Sequence, residues 1–277
     1  MGQAASKAKE AHAQAKSKPK QSKSVMQQKI KSAQATGMLA LSDHKLKKVP
    51  PEVVAMPLLR TLDLSKNRLE ELPMEINALG SLKTLKLVSN ALTTLPDLSG
   101  LVGLTTLVLD GNALECIPSA LPPNLTKLSL MGNKLREIPV AVTNLKLLKE
   151  LDLTANAIEQ IPDHIANLSD LVDLTIDANS VRLIPAALAK CTKLKVLSAR
   201  ANKLTGKEAA APAPQSIAAE LLSASNVHIM NLEGNPMTKF DLEDMDGFDK
   251  FFARRTESKN KEIHGGLNAD VSLCGLD

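Results

Sequence analysis

Four carboxylates, Glu150, Asp152, Asp173 and Asp177, recur in step: Glu150 and Asp173 stand 23 residues apart and Asp152 and Asp177 stand 25 apart. Paired carboxylates can act as general acid and base when burial or a like charge lifts one pKa toward neutrality. If one repeat of chain separates two neighbouring strands, about 4.8 Å across and about 6.8 Å along would leave Asp152 and Asp177 roughly 8 Å apart. That lies within the range used for inverting glycoside hydrolysis. Distance alone does not make a catalyst. An open face gives neither desolvation nor a cleft for a sugar. The five histidines are scattered, and Cys116, Cys191 and Cys274 are widely spaced and odd in number, so no metal set or nucleophile–base pair forms. The expectation is a non-enzyme with no cofactor and no metal, in a reducing compartment.

A second chemistry lies at the amino terminus. Met1-Gly2-Gln-Ala-Ala-Ser6-Lys7 fits the N-myristoylation pattern, with Gly2 as acyl acceptor once Met1 is removed. One myristoyl chain binds a membrane only marginally and needs a second signal. Lys7, Lys9, Lys16, Lys18, Lys20 and Lys23 supply it, each worth about 1 kcal/mol beside an anionic leaflet. Residues 1–36 hold eight Lys and one Glu, a net of +7, and the remainder is −3, which together make the overall +4. The basic stretch lacks Arg and aromatics for base contacts, so no nucleic acid is expected. No long apolar run is present, so the membrane contact would be peripheral, from the cytoplasmic side.

The elements that must carry these groups follow from a repeat. Asn recurs at Asn67, Asn90, Asn112, Asn133, Asn156, Asn179, Asn202 and Asn235, in steps of 23, 22, 21, 23, 23, 23 and 33. Apolar residues stand eight, five and three before it, as in Leu59, Leu62 and Leu64 or Leu82, Leu85 and Leu87. This L-x-x-L-x-L-x-x-N phrase is the leucine-rich repeat signature. Its alternating part reads as a short strand with one buried face, which only stacking can cover. The carboxamide ends each strand and can bond backbone groups of adjacent turns. The fold class predicted is an α/β leucine-rich repeat solenoid. It has a curved parallel sheet on its concave face, with short helices, 3-10 turns and loops on the convex face.

Counting back from each Asn predicts which side chains face outward on the concave side. Six before stand Thr61, Thr84, Thr106, Lys127, Glu150, Asp173 and Val196; four before, Asp63, Lys86, Val108, Ser129, Asp152, Thr175 and Ser198. Two before stand Ser65, Val88, Asp110, Met131, Thr154, Asp177 and Arg200. Val88, Val108 and Met131 are read as an apolar patch, and Glu150, Asp152, Asp173 and Asp177 as an acidic cluster beside it. An apolar anchor next to a charged field suits a protein partner. The candidate contact set is therefore Lys86, Val88, Val108, Asp110, Ser129, Met131, Glu150, Asp152, Thr154, Asp173, Thr175, Asp177 and Arg200.

The ends complete the division. Residues 1–24 read as a disordered basic tail and 25–255 as the solenoid, with cap helices over 25–36 and 241–255. Residues 256–277 read as a disordered tail. In the second cap helix Leu242, Met245, Phe248 and Phe252 fall on one stripe. His44 replaces the Asn of a degenerate first repeat, as terminal repeats allow.

With Met1-Gly2, Ala33-Gln-Ala-Thr-Gly37, Pro214-Gln-Ser-Ile217, Glu233-Gly-Asn235 and Leu242-Glu-Asp-Met-Asp-Gly-Phe-Asp-Lys250, the chain resembles the leucine-rich repeat-containing protein fifty-seven family. The resemblance implies a lipid-anchored interaction protein with no assigned enzymatic activity. A longer basic tail, an Ala/Pro-rich insertion over 206–214 and an extended C-terminus depart from it. The expected function is a lipid-anchored, monomeric adaptor in signalling. Its concave face would bind a protein, by analogy a small GTPase or a phosphatase subunit. The alternative is a soluble regulatory or scaffolding subunit that meets no membrane.

Overall fold

The computed structural model describes residues 24–206, 215–264 and 273–276. Among them nine three-residue strands pair in chain order into one parallel sheet: β1 Met38–Ala40, β2 Thr61–Asp63, β3 Thr84–Lys86, β4 Thr106–Val108, β5 Lys127–Ser129, β6 Glu150–Asp152, β7 Asp173–Thr175, β8 Val196–Ser198 and β9 Ile229–Asn231. The middle residue of each strand faces the core. Leu62, Leu85, Leu107, Leu174, Leu197 and Met230 are all fully buried, and each such burial stabilises by roughly 1.5–3 kcal/mol.

Each Asn then stitches its repeat to the one before. Asn179 Nδ2 donates to Leu153 O, Ile176 O and Asp177 O, each at 3.0 Å, and its Oδ1 accepts the Ile158 N–H at 3.0 Å. Asn133 repeats this with Leu109 O, Leu130 O and Leu114 N. The same cross-repeat bonds recur at Asn67, Asn90, Asn112, Asn156, Asn202 and Asn235. The residue before each Asn takes a positive φ: Lys66, Ser89, Gly111, Gly132, Ala155, Ala178, Ala201 and Gly234. Left-handed backbone there swings the carboxamide inward. His44, in the degenerate repeat, gives only its backbone N–H to Asn67 Oδ1, so it caps the ladder.

On the convex side, prolines set the helical turns. Pro50, Pro73, Pro139, Pro162 and Pro185 each precede one in extended conformation: α2 Pro51–Val54, the 3-10 turn Met74–Ala78, α3 Val140–Thr143, and the 3-10 turns Asp163–Asn167 and Ala186–Lys190. The two shortest repeats, 22 and 21 residues, have no helical turn over 91–105 or 113–126. One or two residues fewer leave the return no room for it.

A helix, α1 over 24–36, closes the first end. It buries Ile30 and Ala33 and ends at Gly37, whose φ is 69° and whose N–H bonds Ala33 O. The other end departs from expectation. After α4 Ala219–Ala224, the single helix expected over 241–255 is two, α5 Lys239–Glu243 and α6 Phe248–His264. Thr238 and Asp241 form a capping box on α5. Gly247, at φ 92°, makes the break where a Cβ would lie 2.9 Å from Ala219 O. The break shifts the phase of the stripe. Phe251 is the fully buried plug, while Phe252 stays 47% exposed and stacks on Phe248.

The tail expected to be disordered from 256 is also corrected. Residues 256–264 continue α6, and in 273–276 Leu273 and Cys274 are buried. Cys274 O accepts the Leu232 N–H at 2.8 Å, so the segment satisfies a backbone donor beside the last strand of an otherwise open sheet. The 207–214 part of the expected insertion, and Gly2 and Lys7 to Lys23, lie outside the described residues.

A candidate interaction face

Strand pairing brings the outward columns side by side. Thr84, Thr106, Lys127, Glu150 and Asp173 are successive register partners, as are Lys86, Val108, Ser129, Asp152 and Thr175. The residues two before each Asn lie just past the strands. There the ladder runs on through Ser89 N to Asp110 O and Gly111 N to Met131 O. Asp110 therefore separates Val88 from Met131. Val88, Val108 and Met131 flank a carboxylate instead of forming an unbroken apolar patch.

The acidic residues divide by what their oxygens do. Asp177 Oδ1 accepts from Ser198 Oγ and from Arg200 N, both at 2.7 Å. Asp110 Oδ1 does the same three repeats earlier, with Ser129 Oγ and with Met131 N at 3.1 Å. These two carboxylates brace the next repeat, a role the sequence reading missed although Ser129 and Ser198 already stood in its columns. Asp152 Oδ1 accepts the Thr154 N–H at 2.9 Å. Glu150 pairs with Lys127 on the adjoining strand, and that hydrogen bond raises the lysine's pKa. Lys127 thus neutralises part of the field of the acidic cluster.

Asp173 is the unusual member. Burial raises its pKa above the ordinary value, and the neighbouring charge of Glu150 adds to the rise. It borders a shallow depression of about 210 Å³ together with Lys127, Ser129, Glu150, Asp152 and Thr175. Five of those six belong to the predicted contact set or its acidic cluster. Lys86, Thr154 and Arg200 lie elsewhere along the columns. Among the described residues no group of three or more His, Cys, Asp and Glu is placed to hold a metal ion. Burial pushes the Cys191 thiol up to about 11, so it is no nucleophile at neutral pH.

The raised pKa has a sign that can be measured. A native carboxyl that holds its proton more tightly than the unfolded one makes the fold less stable as pH rises above about 3.8 through the native value. Asp173→Asn should therefore raise the urea midpoint at pH 7, with the gain shrinking as pH falls toward 4. A loss of stability at pH 7 would show that the carboxylate is held by attraction.

Parallel three-residue strands, a carboxamide ladder and a proline-marked convex return now stand together. The fold is a leucine-rich repeat solenoid. A family model described as "Leucine rich repeat" matches residues 57–114 and 123–181. Among solved structures the solenoid is similar to a leucine-rich repeat protein of Leptospira interrogans, with TM-score 0.54 and 24% identity over 76% of this chain and 63% of that one. It is also similar to a TDR receptor, with TM-score 0.61 and 27% identity over 73% of this chain and 35% of that one. The chain thus spans less than two thirds of the length of either. No curated protein sequence matches it.

Proposed function

We propose that the solenoid is an adaptor that binds another protein across its concave face, and that an acylated Gly2 with Lys7 to Lys23 tethers it to an anionic membrane on the cytoplasmic side. One observation carries the first half. A ladder of eight carboxamides fixes a row of solvent-facing side chains, including the depression bordered by Glu150, Asp152 and Asp173. A fixed face costs a partner little ordering entropy. Carboxylates at its centre select a partner with cations, and the flanking Val88, Val108 and Met131 offer apolar contact. Leucine-rich repeats themselves support an interaction role. Among the described residues the face offers a shallow depression of about 210 Å³, too small and open to enclose a substrate, which favours a scaffold over a catalyst. The likeness of both chain ends to the protein fifty-seven family supports the tether, and a small GTPase or phosphatase subunit remains the partner class by analogy.

Affinity capture tests the face. Asp152→Asn with Asp173→Asn removes two charges without disturbing the bracing carboxylates Asp110 and Asp177. Proteins retained by the unaltered chain should be depleted at least tenfold on the variant; equal capture would move the binding face elsewhere. Gly2→Ala tests the tether, with membrane partition in cells falling to the level of a soluble protein.

A further inference from the structure

All nine strands run one way, so the segments that enter them line one flank of the solenoid and the segments that leave them line the other. The entry flank is the stretch ten to seven residues before each Asn. From the Asn67 repeat to the Asn202 repeat it carries Arg60, Lys83, Lys146, Lys149, Lys193 and Lys195 against one carboxylate, Asp170. Asp170 is itself paired with Lys193 at 2.6 Å. The exit flank, from one residue before to four after each Asn, carries as many cations but also Glu70, Glu71, Glu115, Glu137 and Glu159.

Apolar exposure follows the same asymmetry. Leu58, Val102 and Leu147 stand on the entry flank, 74%, 55% and 44% exposed, against Leu183 on the exit flank. They fall on every second repeat, about 10 Å apart at the strand spacing, with Lys83 on the repeat between the first two and Lys146 and Lys149 beside the third. Hydrogen bonds from one repeat to the next hold this edge in place: Asn124 Nδ2 to Val102 O at 2.8 Å and Asn226 Nδ2 to Thr192 O at 2.6 Å. Toward the last repeats, Lys193, Lys195 and His228 border a depression of about 380 Å³.

We propose that the entry flank docks on an anionic bilayer, its lysines at the headgroups and Leu58, Val102 and Leu147 entering the interface. A row of side chains along one flank, held by hydrogen bonds from repeat to repeat, can meet a flat partner, which a bilayer is. Single apolar side chains between snorkelling lysines match the headgroup–acyl boundary. A polynucleotide would ask for aromatic stacking and guanidinium forks. The flank has no aromatic residue, since every Phe lies between 240 and 252, and its one Arg is Arg60. The docking adds an orientation to the tethered reading and does not need Gly2 to be acylated. It would hold the concave face side-on to the membrane, open to a partner.

The test uses the unacylated full chain with vesicles of phosphatidylcholine, alone or mixed with phosphatidylserine. Lys83→Glu/Lys149→Glu/Lys195→Glu and Lys66→Glu/Lys134→Glu/Lys203→Glu make the same change of charge on the entry and exit flanks. A lysine at an anionic surface is worth about fivefold in partition, so the entry variant should lose at least tenfold while the exit variant stays within about threefold. The chain has no Trp, so Leu147→Trp and Leu183→Trp serve as single reporters. The first should shift blue only with phosphatidylserine and the second should not shift. Equal losses from the two triple variants, or equal shifts at the two reporters, overturn the assignment. So does retention on polyglutamate by a chain that ignores the vesicles, which would make the flank a protein site. Replacing Lys7, Lys9, Lys16, Lys18, Lys20 and Lys23 with Ala separates this from the tether. Partition lost there alone overturns the flank and keeps the tail; partition lost only in the entry variant keeps the flank and overturns the tail as a membrane signal.

Discussion

Asn179→Ala should destabilise the protein by about 3–5 kcal/mol. The side chain is only 9% exposed, and it satisfies Leu153 O and Ile158 N of the preceding repeat as well as Ile176 O and Asp177 O of its own. Alanine removes all four bonds and returns nothing, and each buried group left unsatisfied costs about 1–3 kcal/mol. Asn90, at the same place in its repeat, is only part-buried, so water can replace its bonds and Asn90→Ala should cost about half as much. Far-UV circular dichroism in urea measures both, since the chain has neither Trp nor Tyr for emission. Asn179→Asp adds a check on the donor side. It keeps an acceptor for Ile158 N but turns a carboxylate toward carbonyl oxygens, so its loss at pH 7 should ease as the pH falls and the new carboxyl regains a proton. If Asn179→Ala cost under about 1 kcal/mol, the ladder would be ornament and the leucine layers alone would hold the repeats together.

The ladder was legible in the sequence because its spacing is rigid. A strand of period two, a carboxamide at fixed phase and a Pro after it leave few alternatives, and the outward columns follow by counting. A further cue lay in plain sight: Gly111, Gly132 and Gly234 stand immediately before an Asn, and those positions carry the positive φ shared with Lys66, Ser89, Ala155, Ala178 and Ala201. The concave face was legible as columns but less so as chemistry. Which carboxylate is free depends on rotamers, and the count alone could not say that Asp177 would brace Ser198 and Arg200 while Glu150 met Lys127. The flanks were missed for another reason. Periodic reading rewards the residues that repeat, and the entry flank does not repeat: seven before the Asn stand Arg60, Lys83, Lys149 and Lys195 in four repeats but Thr105, Thr126 and Val172 in the others. Residues 273–276 were missed because their pairing with Leu232 bridges 42 positions along the chain, which no local pattern records.

The terminal cap supplies the second large effect. Phe251→Ala should cost about 3–5 kcal/mol, the range for emptying a fully buried aromatic site, and Phe252→Ala under about 1 kcal/mol. A continuous helix over 241–255 would reverse that order, because Phe252 and not Phe251 continues the stripe from Leu242, Met245 and Phe248. The break at Gly247 restarts the helix and rotates Phe251 inward. Arg254 then fastens the new helix, donating from Nη2 to Leu222 O at 2.7 Å and from Nε to Val227 O at 3.3 Å. Those carbonyls belong to the last repeat, so α6 seals the end of the leucine stack. An emptied seal should therefore do more than lower the urea midpoint. In a solenoid each repeat leans on its neighbours alone, so the final repeats should open before the centre and bind a hydrophobic dye ahead of the main transition. A single unchanged transition in Phe251→Ala, or an equal cost for Phe252→Ala, would place the plug on the other face of the helix and restore the unbroken cap.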